Sequence, residues 1–99
     1  MTREEAGQAL TLHPDDDVGV ALRDLPAGVQ VNVRRAGVHL LVVLQNPVPL
    51  GHKFALATLA QGQRIRKYGQ VIGEATSRIE AGAHVHVHNM ASLRARGVR

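Results

Sequence analysis

The sequence predicts an all-β domain, compact and irregular, made of short strands joined by glycine turns. Two observations carry this reading. First, one spacing recurs four times: an apolar residue, two others, a glycine, two others and a second apolar residue, centred on Gly28, Gly51, Gly62 and Gly82. Each is a tight turn in which Gly takes up positive φ, followed by the start of a strand. Turns so placed leave room for no helix longer than about two turns. Second, Gly82-Ala83-His84-Val85-His86-Val87-His88-Asn89 alternates imidazole with valine, which is the period of a strand. On a strand over 84–88 the three histidines share one face, and Val85 and Val87 turn to a core on the other.

Ninety-nine residues make one domain, 1–99, with a core over about 9–90 and a basic tail over 91–99. A chain this short buries a modest fraction of its surface, and it has no cysteine to bridge it. The expected compensation is burial against another chain, or self-association when the chain is isolated. Tyr68 and Phe54 are its only Phe, Tyr or Trp residues, so the core falls to Val, Leu, Ile and Ala. The same scarcity argues against nucleic-acid modules, which stack bases on aromatic rings. The start of the chain lacks the apolar run of a signal peptide, and no stretch reaches the length of a membrane span. A cytoplasmic protein with no membrane contact is expected.

The formal net charge of +4 is unevenly spread. Residues 1–24 hold six of the eight acids, and residues 25–99 hold ten of the twelve Lys and Arg residues. A body this basic suits an acidic protein or a small anionic substrate; its cations are too scattered for a nucleic-acid stripe.

In chain order, Ala9–Leu12 reads as a first short strand. His13-Pro14-Asp15-Asp16-Asp17 reads as a turn, with Pro presetting φ and Asp bonding nearby amides. Three adjacent carboxylates in extended chain cannot all converge on one cation. Strands follow over 18–22, 38–44, 53–58, 64–67 and 70–74. The tail from Ser92 to Arg99 carries no pattern that would bury it.

The histidine row is the candidate for chemistry. Same-face neighbours on a strand lie roughly 6.6 Å apart, so two imidazoles can share a metal, whereas His84 to His88 spans roughly 13 Å. Neutral imidazole is also a general base near pH 7, and Asn89 can bond a substrate hydroxyl. The bland alternative is a polar strand at an interface. His52 and Lys53 follow Gly51 at an exposed rim, where they could meet a carboxylate or merely be solvated. Arg64 and Arg66 read as a solvated strand face with Ile65 inward. Lys67 and Tyr68 close that strand, and Tyr68 is either a core anchor or an exposed hydrogen-bonding group.

Taken in order, Leu12-His13-Pro14-Asp15-Asp16-Asp17, Gly51-His52-Lys53, Lys67-Tyr68-Gly69 and the run Ile72–Asn89 resemble the small SAF-type domain of the altronate/galactarate dehydratase family. The same module serves as the small subunit of sulfolactate sulfo-lyase. The family typically has Asn where Asp17 stands. The resemblance implies a β-clip fold and the small subunit of a hydroxy-acid lyase. Such an enzyme eliminates water, or sulfite in the sulfolactate case, together with a large catalytic subunit. It implies a small anionic hydroxy acid as substrate and a divalent metal, typically iron, held mainly by the large subunit. Under this reading His52, Lys53, Lys67, Tyr68 and His86 are the catalytic candidates. His84, His88 and Asn89 are the substrate-binding candidates, and His86 and His88 the candidate metal ligands. The alternative is a non-catalytic SAF-type module that binds an anion or assembles another protein.

Overall fold

The computed structural model describes residues 8–92. Among them are nine short strands and no helix: β1 Ala9–Leu10, β2 Val18–Ala21, β3 Gln30–Arg35, β4 Val38–Val43, β5 Lys53–Ala55, β6 Arg64–Lys67, β7 Gln70–Ala75, β8 His84–Val85 and β9 Met90–Ser92. The all-β expectation holds. No helix among the described residues is long and apolar enough to cross a membrane.

The strands form three antiparallel sheets, in the orders β1-β2-β5-β8, β3-β4 and β6-β7-β9. The recurring glycine turns pair with one another across the fold. Leu25 and Val48 exchange backbone hydrogen bonds of 2.9 and 2.8 Å, and Leu59 and Ile79 exchange bonds of 2.8 and 2.9 Å. Gly28, Gly51, Gly62 and Gly82 all take positive φ. Between each pair of turns lies a hairpin. Ala36-Gly37 joins β3 to β4 and Tyr68-Gly69 joins β6 to β7, each with φ positive at both residues. The chain is thus two similar halves, β2 to β5 and β5 to β8, sharing β5. The sequence repeats with them: Ala-Leu-x-x-Leu-x-x-Gly occurs at 21–28 and again at 55–62.

Each half has its own core. One gathers Leu25, Val31, Val33, Val42, Leu44, Val48 and Phe54; the other gathers Val18, Ala55, Leu59, Ile65, Ala75, Ile79 and Val85. Phe54 and Ala55 are successive residues, so their side chains leave β5 on opposite faces and serve opposite cores. Both are fully buried.

The Asp run is a turn, as expected, and it is tied to the second half. Asp16 is fully buried, and its carboxylate accepts hydrogen bonds from the backbone N–H groups of Leu12, His13 and Gly69. Asp17 accepts one from the Arg66 N–H at 2.8 Å. Several strands are shorter than the sequence indicates: β1 ends at Leu10 and β5 at Ala55. β3 is a full six-residue strand where only a strand start was read, and β9 runs into the residues assigned to the tail. Residues 93–99 lie outside the described residues.

The largest correction concerns the histidine row. It is a strand only at His84 and Val85; residues 87–89 form a turn in which the His86 carbonyl accepts from the N–H groups of Asn89 and Met90. Val85 is fully buried but Val87 is 81% exposed. β8 pairs with β5 only as far as Lys53↔Val85 and Phe54↔His84, and with no core beneath Val87 the chain turns back.

Two glycines distinguish conformational from steric need. A Cβ on Gly28 would meet nothing nearby, whereas one on Gly82 would fall on the Val43 carbonyl oxygen. Gly28→Ala is expected to lose about 1–2 kcal/mol, the ordinary left-handed cost. Gly82→Ala is expected to lose clearly more, because backbone has to move. Urea denaturation of the two variants checks this; equal losses would show that the Gly82 contact is not a constraint.

Candidate functional site: a stack of four imidazoles

β5 and β8 build the site. Extending the register Lys53↔Val85 and Phe54↔His84 by one place sets His52 opposite His86. Their rings stack with centroids 4.7 Å apart and planes 7° from parallel. His84 joins them, 5.0 Å from His52 and 5.4 Å from His86. The turn at 87–89 brings His88 over His84 at 5.7 Å, tilted by 42°. The separation expected for His84 and His88 on a continuous strand is therefore removed by the turn. His52, the rim residue 32 positions upstream of His84, is an integral member of the group, its Nδ1 lying 2.8 Å from His84 Nε2. At that distance one nitrogen carries the proton and the other accepts it.

The cations lie nearby. Lys53 leaves β5 on the face opposite His52. Its pKa is lowered, first by burial and then by the charge of Lys67. Lys67 in turn sits over the Tyr68 ring, 5.0 Å from its centroid. Lys53 also acts on His84, whose pKa is lowered first by burial, then by His52, His86, His88 and last by Lys53. The neutral form of His84 is favoured, and neutral imidazole is the form that can accept a proton or donate a lone pair. Lys53 is thus felt by His84 on one side and by Lys67 on the other, from the face of β5 opposite the imidazole stack.

Tyr68 holds φ at 54°, an unusual conformation for a bulky residue. Its ring is partly exposed. It is therefore no core anchor, which leaves the second of its two readings.

Asn89 is buried, and both of its amide heavy atoms are hydrogen-bonded to backbone. Oδ1 accepts from the His86 N–H at 2.9 Å, and Nδ2 donates to the His84 carbonyl at 2.9 Å. An amide so engaged shapes the turn, a role the sequence reading did not give it. Asn46, which the sequence reading passed over, accepts from the His84 N–H at 3.0 Å. The signal for it was Asn46-Pro47, a turn-forming pair leading into one of the repeated glycine turns.

Imidazole nitrogens suit borderline divalent metals. The rings here are stacked, however, and among the described residues no group of three or more His, Asp or Glu side chains is placed to hold a metal ion. Among the described residues, His86 and His88 have no third such side chain placed with them to hold a metal ion.

Two outcomes are expected from the site's physics. A histidine with a lowered folded pKa binds fewer protons than in the unfolded chain, so stability rises with pH through the interval up to 6.5, the ordinary value for His84, and falls on acidification. An NMR titration should place the His84 midpoint below 6.5, and His52→Gln should raise it partway; a midpoint at or above 6.5 in the native chain would contradict this. Tyr68→Gly is expected to stabilise the chain by about 1 kcal/mol by removing left-handed strain, which thermal unfolding would detect.

Comparison with known proteins accords with this geometry. The family model for the altronate/galactarate dehydratase SAF domain matches residues 7–93. The altronate dehydratase of Escherichia coli (strain K12) is 45% identical over 82 residues, covering 83% of this chain and 16% of that protein. The altronate dehydratase of Bacillus subtilis (strain 168) is 34% identical over 80 residues, covering 81% of this chain and 15% of that protein. The (2R)-sulfolactate sulfo-lyase subunit alpha of Chromohalobacter salexigens is 39% identical over 51 residues, covering 52% of this chain and 54% of that subunit. The chain spans about a sixth of the altronate dehydratases it matches. From residue 7 to residue 93, therefore, this chain is a member of the altronate/galactarate dehydratase SAF-domain family.

Proposed function

We propose that this chain is the small SAF-type part of a cytoplasmic hydroxy-acid lyase, working with a larger catalytic polypeptide. The observation that carries the reading is the stack of His52, His84, His86 and His88. Its substrate is a small anionic hydroxy acid, an aldonate, an aldarate or sulfolactate. The lysines favour a carboxylate, and a neutral imidazole takes the proton α to it. As the C–H bond breaks, its electron pair forms the C=C bond and expels the β substituent. That group leaves as water once protonated, or as sulfite. Tyr68 and Lys67 are placed to serve the leaving group or the carboxylate.

A divalent metal, iron in the family's usual case, would rest mainly on ligands of the larger polypeptide; among the described residues no group of three His, Asp or Glu side chains is placed to hold one. Bound there, it would polarise the leaving oxygen. Val87 supports a docked arrangement: an apolar residue 81% exposed between two site histidines is placed to meet a partner's surface.

The test is reconstitution with the larger polypeptide and a panel of aldonates, aldarates and sulfolactate. His86→Gln keeps hydrogen bonding but removes basicity, and turnover is expected to fall by about a hundredfold. Gel filtration checks assembly separately. Unchanged turnover in Gln variants of His84, His86 and His88 alike would leave the non-catalytic binding or assembly module as the better reading.

A further inference from the structure

β8 is the edge strand of its sheet, paired with β5 on one side only. An edge strand exposes N–H and C=O groups that water or another strand would take. Here side-chain amides take them. Asn46 Oδ1 accepts from His84 N–H, Asn89 Oδ1 accepts from His86 N–H, and Asn89 Nδ2 donates to His84 C=O. The two asparagines come from separate places, one before the turn at Val48–Gly51 and one after the histidine row, yet they meet at His84, and Asn89 reaches on to His86. Together they occupy the place of a neighbouring strand. Asn89 also ends β8. By bonding back to 84 and 86 it curls residues 87–89 into a turn, and that turn sets His88 over His84.

We propose that Asn46 and Asn89 form an amide clamp that positions the imidazole stack, acting through the backbone of His84 and His86 without touching substrate. The proposal rests on the lyase reading only for its effect on turnover; the clamp itself is a property of this chain. These bonds make distinct demands at the two positions. Asn46 serves only as an acceptor, so Asp can replace it and Ala cannot. Asn89 serves as acceptor and donor, so Asp preserves one bond of two, and Ala neither.

The test uses the full chain at a fixed pH of about 8, with imidazole NMR signals and amide hydrogen exchange as readouts. Asn89→Ala is expected to shift the ring signals of His84 and His88 as their contact is lost, and to speed exchange of the His86 N–H at least tenfold. Asn89→Asp should retain His86 protection and still disturb His88. Asn46→Ala should speed exchange of the His84 N–H at least tenfold, and Asn46→Asp should restore it. In the reconstituted lyase, Asn89→Ala should lower kcat about tenfold with little change in KM. Unmoved imidazole signals in Asn89→Ala would overturn the clamp, as would equal behaviour of the Asp and Ala variants at position 46. Should Asn89→Ala fail to fold, the exposed Asn46 carries the test alone. Shifted signals in a chain whose wild type supports no lyase activity would support the clamp and overturn the lyase reading instead.

Discussion

The close passage of Gly82 over the Val43 carbonyl sets where the functional strand lies. The Gly82 N–H donates to the Ala55 carbonyl at 2.8 Å, while its own carbonyl accepts from the Gln45 N–H at 2.9 Å. One residue is thereby bonded to β5 on one side and to the end of β4 on the other. A side chain there would meet backbone, and the φ of 85° is one that L residues rarely take. From this point the chain enters the sheet beside β5 at a fixed height, and that height sets His84 opposite Phe54 and His52 opposite His86.

The duplicated plan explains how a chain without cysteines makes such a placement firm. Each half closes on a pair of apolar residues that bridge two glycine turns, and each packs around its own aliphatic cluster. Sharing β5 between the halves makes the two cores one structure, because Phe54 and Ala55 anchor the same strand from opposite faces. Buried Asp16 adds a further tie, holding the N-terminal turn against the Tyr68-Gly69 hairpin through three backbone donors. A carboxylate so bonded is a structural element, even though it stands in a run of acids that resembles a cation site.

The site follows from the rigid frame through two departures from regularity. The first is the curl after Val85, which sets His88 over His84 where a straight strand would have carried it away. The second is Tyr68, held in a left-handed turn next to Lys67. The counterpart hairpin carries Ala at the same place, at φ 53°. The two equivalent turns thus differ in that one carries a methyl group and the other a phenol at the same left-handed position. Burial and like charges both act to hold Lys53 and His84 toward their neutral forms.

The sequence by itself determined the all-β class, the four turns and the family, because glycine at a fixed spacing and motifs in a fixed order are local facts. His52, Lys53, Lys67, Tyr68 and the histidine row were also legible as candidate residue types. Only the tertiary structure decided what they meet. Alternation shows which face a side chain takes while a strand lasts, but it does not show where pairing stops. The row ends as a strand because no core lies beyond Val85 and because Asn89 bonds back upon it. Likewise, the place of His52 opposite His86 depends on a register between segments more than thirty residues apart. Such a register is set by the packing of two cores around β5, and no local pattern encodes it.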